Sequence, residues 1–122
     1  MKKVVAILVL VLGFAFNTNA QEVKTISLEQ TKGEFTQKQI TVSEGTYIFE
    51  VSNNNAAPEV GIVLIKDGKD GTNPKNHIAE AYVSKLVKHG KKESSKKVML
   101  KKGTYKYFCP YNKTAQYTLI VE

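Results

Sequence analysis

Apolar and polar residues alternate along most of residues 23–121, and the alternation predicts short β-strands separated by turn residues. Residues 23–28 form a first strand with Ile26 and Leu28 on its buried face. Residues 39–42 form a second, with Ile40 and Val42 facing one way. After the turn Ser43-Glu44-Gly45, Tyr47, Phe49 and Val51 alternate with Ile48 and Glu50 across residues 46–51. Residues 52–58 read as a loop by their asparagines and proline. The unbroken apolar run 60–65 predicts a strand covered on both sides, and the glycine-rich stretch 66–73 a surface loop.

One helix is expected next. Asn73 is a suitable cap and Pro74 suits the first helical position. Ala79, Val83, Leu86 and Val87 fall on one helical stripe, and Gly90 is placed to end it. Strands at 96–100 and 104–109 come after it, joined by Lys101-Lys102-Gly103, and residues 117–121 make the last strand. The pattern predicts an all-β antiparallel sandwich with one inserted short helix. Periodicity does not separate an immunoglobulin-like sandwich from other kinds. The chain lacks tryptophan and the immunoglobulin pair of cysteines.

The first twenty residues read as a targeting segment. Lys2 and Lys3 precede an apolar run from Val4 to Phe16, and Thr18-Asn19-Ala20 offers small residues for cleavage. The run is short of the ~20 residues of a membrane span. A secretory signal peptide at 1–20 and a single domain at 21–122 are therefore expected, in the periplasm or secreted. The formal net charge is +7, and lysine supplies every basic residue other than two histidines. Without arginine, and with an export segment, sequence-specific nucleic-acid recognition is not expected.

An exported chain with a single cysteine forms no internal disulfide. Cys109 is then a buried small hydrophobe, a link to another chain, or a functional thiol. Three segments in order resemble the cupredoxins, the small blue-copper electron carriers. Residues 39–51 are similar to the early hairpin of that family, and Asn54-Asn55-Ala56-Ala57-Pro58-Glu59-Val60 to its proline-bearing ligand loop. Residues 100–112 are similar to the stretch where a glycine turn leads through alternating aromatics to the copper cysteine and a proline.

The resemblance implies a Greek-key sandwich and a site where two imidazoles and a thiolate hold copper, with a weak axial thioether. Cys109 stands at the thiolate position, Asn112 at that of the second histidine, and Glu59, to within one residue, at that of the first. The axial methionine falls at Ala115 or Tyr117. Red-copper relatives use a glutamate beside a cysteine and two histidines, which Glu59 and Cys109 match in part. The departures imply a degenerate type 1 site and a non-enzymatic binding or accessory module without a cofactor. The alternative is a copper electron carrier with atypical ligands drawn from Cys109, Glu59 and Asn112.

His77 and His89 lie near the two ends of the expected helix, ~18 Å apart, too far to share one metal. His77 swinging over the site is the remaining source of an imidazole. No serine–histidine or paired-carboxylate pattern points to an enzyme. Between Lys85 and Lys106 nine lysines stand against one acid, Glu93. Lys101, Lys102 and Lys106 form the exposed part nearest Cys109 in sequence. Such a stretch serves as a solvated edge that blocks strand pairing between molecules, or docks an acidic protein partner or anionic membrane surface.

Overall fold

The computed structural model describes residues 22–122, so the targeting segment expected at 1–20 lies outside the described residues. Among the described residues, ten strands build two four-stranded sheets and one small ribbon. They are β1 (Val23–Thr31), β2 (Glu34–Phe35), β3 (Gln39–Val42), β4 (Gly45–Asn53), β5 (Glu59–Val60), β6 (Val63–Lys66), β7 (Val87–Lys88), β8 (Lys92–Leu100), β9 (Gly103–Phe108) and β10 (Tyr117–Val121). One sheet has the order β2-β1-β4-β8, the other β3-β10-β9-β6, and β5 pairs with β7 apart from both. The sandwich expected from the alternation is present, but its sheets are mixed. β1 runs parallel to β4, and β3 parallel to β10.

The inward faces are those the period-two pattern marked. Ile26 and Leu28 of β1, and Tyr47, Phe49 and Val51 of β4, meet Tyr105, Tyr107, Leu119 and Val121 of the facing sheet in one core. Phe35 is fully buried and meets Tyr107 and Tyr117 edge-on, with ring centroids 5.1 and 5.9 Å away. Buried tyrosines need a partner for the hydroxyl. Tyr47 donates to the Ser43 carbonyl at 2.7 Å, Tyr105 to that of Lys101 at 2.9 Å, and Tyr107 to that of Gln37.

The helix expected over residues 73–90 does not form. Asn73 does cap, accepting from the Lys75 N–H at 3.0 Å, but it opens only the first of two single 3₁₀ turns, Pro74–Asn76 and Ala79–Ala81. Backbone donors that a helix needs are taken by strands instead. Ile78 donates to the Leu64 carbonyl and Ser84 to that of Ser94, both at 2.9 Å, while Val83 bridges Ser95. β-Branched Val83 and Val87 and the serine between them favour extended backbone, so sheet pairing wins over a weak helical stripe. Gly90 adopts φ +73° as expected of it, but in the turn from β7 to β8, where Lys91 donates to Lys88.

The apolar run 60–65 is buried throughout, yet it is not one strand. It breaks at Gly61-Ile62, sending Val60 into the ribbon with β7 and Val63 into the sheet with β9. That break carries the chain past Cys109.

Candidate functional site

Cys109 is the first residue beyond β9 and is fully buried. The Gly61 N–H, freed by the break between β5 and β6, donates to its sulfur at 3.4 Å. The loop after Cys109 closes on itself. The Cys109 N–H donates to Thr114 Oγ1 at 2.9 Å, and the Thr114 N–H returns to the Cys109 carbonyl at 3.2 Å. Full burial keeps this thiol from reaching a cysteine of another chain without local opening.

Asn112, in the same loop, turns inward and is 7% exposed. Its Nδ2 donates to the Thr31 carbonyl at 2.8 Å and to Gln30 Oε1 at 3.1 Å, while its Oδ1 accepts from the Gly33 N–H at 2.8 Å. Gln30, fully buried, passes the chain of bonds on by donating from Nε2 to the Gly61 carbonyl at 2.7 Å. A continuous polar strut thus runs from Gly33 through Asn112 and Gln30 to Gly61 and ends on the Cys109 sulfur. Gln30 is not among the residues that the sequence singles out. A signal for it exists: it continues the inward series Ile26, Leu28 and is the polar member of a core-facing stripe.

Asn53 is the register partner of Gln30 on the parallel neighbour strand, and it is buried too. Its Nδ2 donates to the carbonyls of Ala57 and Val87 at 2.8 and 2.9 Å, and its Oδ1 accepts from the Ala56 N–H at 2.9 Å. Two amides on one rung therefore hold the loop before β5, the ribbon and the loop after β9.

The other residues marked from sequence lie apart from this strut. Glu59 is exposed, because Val60 takes the inward position of their two-residue strand. His77 is half-buried, with Nδ1 2.6 Å from the Tyr82 hydroxyl and Nε2 2.7 Å from the Gly71 carbonyl. His89 is exposed in the turn before β8, and Ala115 is exposed, while Tyr117 packs on Phe35 and Tyr107. Among the described residues, no three His, Cys, Asp or Glu side chains gather in a group able to hold a metal ion.

Five of the lysines line one edge, but Lys106, expected to join them, lies on β9, an inner strand of the other sheet. Lys92, Lys96 and Lys97 belong to β8, one of the two edge strands of its sheet, and Lys101 and Lys102 occupy the exposed turn to β9. Glu44 pins that turn by accepting from the Lys102 backbone N–H at 2.7 Å. Lys106 is half-buried and donates to Thr118 Oγ1 at 2.8 Å, and Lys85 approaches Glu93 at 3.9 Å.

A cleft of ≈ 440 Å³ opens beside the buried thiol, with Gly61 and Pro110 among its lining residues together with Tyr82, Val83, Leu86 and Tyr111.

No curated protein sequence matches the chain. Among solved structures, it is similar to auracyanin A, a "blue" copper protein from the green thermophilic photosynthetic bacterium Chloroflexus aurantiacus. The TM-score is 0.67 at 20% identity, covering 83% of this chain and 100% of that one. It is also similar to an azurin from Methylomonas sp. strain J, with TM-score 0.55 at 18% identity over 80% of this chain and 97% of that one. A multicopper oxidase matches with TM-score 0.58 at 15% identity, over 83% of this chain but 39% of that one. At these identities the likeness speaks for the fold. The family profile for the cupredoxin-like domain matches residues 4–121, and the chain belongs to that family.

Proposed function

We propose that this protein is an exported, non-enzymatic cupredoxin-like binding module whose copper site is degenerate, with Asn112 and Glu59 standing where the family places imidazoles. The observation that carries the reading is the saturation of Asn112. Both protons of its amide and its carbonyl oxygen are committed to Thr31, Gln30 and Gly33. A side chain so committed is structural, and ligating a metal would leave buried groups without partners. A type 1 centre needs two imidazoles beside the thiolate. Among the described residues, the donor set around Cys109 does not fit that requirement. The lysine-lined edge supplies an electropositive face for an acidic protein partner; binding to anionic vesicles instead would reassign it to a membrane surface.

A second reading, a copper electron carrier with atypical ligands, draws on one contact. The Gly61 N–H on the Cys109 sulfur is the kind of bond that tunes a metal-bound thiolate. Cupric titration of the purified protein separates the two. The binding-module reading expects no intense thiolate-to-copper charge-transfer band, and weak uptake unchanged in Cys109→Ala. An intense band that vanishes in Cys109→Ser would overturn it in favour of the carrier.

A further inference from the structure

The cleft beside Cys109 is built from three separate stretches of chain, around Gly61, from His77 to Leu86, and at Pro110-Tyr111. A Cβ at Gly61 would stand 3.3 Å from Leu86 Cδ2 and 3.8 Å from Val83 Cγ2, so the glycine lets the 83–86 segment lie directly on the peptide. Tyr82 and Tyr111, 41% and 59% exposed, are two of the large apolar residues most open to solvent, and both belong to this cleft. Tyr82 is held in place. The Gly71 carbonyl only accepts, so in the neutral ring His77 Nε2 donates to it and Nδ1 receives the Tyr82 hydroxyl.

Charge enters from one side. Lys85 lines the cleft and is shared, with Leu86, by an adjoining groove of ≈ 320 Å³ that adds Lys88, Lys91 and Glu93. Three lysines thus face one glutamate. The Lys85 side chain is 77% exposed and its approach to Glu93 is long, at 3.9 Å, so its ammonium is at liberty to turn toward the cleft. The volume falls within the roughly 300–1,000 Å³ range of small-molecule sites, and an apolar body with few polar anchors is how such sites recognise ligands.

From this combination we infer that the cleft binds a small aromatic acid, its planar body against Tyr82 and Tyr111 and its carboxylate or sulfonate toward Lys85. The inference names a ligand class for the binding module proposed above and rests on that reading, but the two fail separately. The probe is 8-anilino-1-naphthalenesulfonate, titrated by fluorescence into the purified protein. Its uncharged analogue, N-phenyl-1-naphthylamine, is titrated alongside.

Saturable binding at one site is expected. Tyr111→Ala weakens both dyes about ten-fold, by loss of an aromatic contact surface. Lys85→Glu weakens the sulfonate about five-fold, as for an exposed charge pair, and leaves the uncharged dye unchanged. Both substituted side chains are exposed, so unaltered thermal midpoints verify the fold of each variant. Absence of saturable binding, or affinity unchanged in Tyr111→Ala, overturns the site. Equal affinity of Lys85→Glu for the sulfonate overturns the assignment of an acid. A copper charge-transfer band together with intact dye binding would overturn the reading above and leave this one standing.

Discussion

The middle of the sandwich and the end around Cys109 are held by different forces. In the middle, Leu28, Phe49, Tyr105 and Leu119 meet as buried apolar surfaces, and their attraction has little directionality. At the end, Gly33, Asn112, Gln30 and Gly61 are joined by hydrogen bonds that demand particular atoms at particular distances. An apolar core accepts another shape at moderate cost, whereas a buried amide that loses one partner leaves another group stranded. The contrast teaches where this chain tolerates change. Its fold rests on the middle, and the geometry around Cys109 rests on the strut.

The largest effect should come from the middle. Phe49→Ala removes a ring buried in the core between the two sheets, and it should cost about 3–5 kcal/mol in urea unfolding. A loss under ~1 kcal/mol would mean that the middle repacks freely and the contrast is false. Next comes the strut. Asn112→Ala strands the Gly33 N–H, the Thr31 carbonyl and Gln30, and should cost about 2–3 kcal/mol. Gln30→Leu should fall in the same range despite its added apolar character, and a gain in stability there would show the amides to be dispensable.

Alkaline titration gives a smaller and more selective test of the middle. Burial, with the nearby Tyr117 charge adding to it, pushes the Tyr107 phenol from 10.0 up to about 12. The fold favours the protonated form, so the unfolded chain releases its proton first as pH rises. The stability tied to Tyr107 is therefore complete below about 10 and is lost as pH climbs through about 12. Phenolate absorbance should show one tyrosine ionising late, together with unfolding. The smallest effect belongs to the lysine edge. Lys96→Gln with Lys97→Gln should change stability by less than about 0.5 kcal/mol. The same pair should weaken capture of an acidic protein at low salt, with the difference vanishing at high salt.

The range of each interaction decides how much of the molecule is legible in the sequence. Strand faces such as Tyr47-Phe49-Val51 are local and readable, because period two needs no knowledge of partners. The stripe over 73–90 is equally local and misleads, because the acceptors that capture Ile78 and Ser84, the carbonyls of Leu64 and Ser94, come from other elements. Cys109 and Asn112 are found through their short loop. The meaning of Asn112 is not, since Gln30 lies 82 residues away along the chain. The parallel pairing of β1 with β4 and the cleft are likewise assembled from distant segments.

Gln30 and Asn53 share one rung of the sheet, so the loops they fasten do not loosen one at a time. Gln30 holds the Gly61 carbonyl and, through Asn112, the Gly33 N–H, while Asn53 holds the Ala56 N–H. Deuterium uptake at Gly33, Ala56 and Gly61 should then rise at a common rate, as one cooperative unit of local unfolding rather than three frayed tips. A single rung thereby acts as a hasp for a whole end of the molecule.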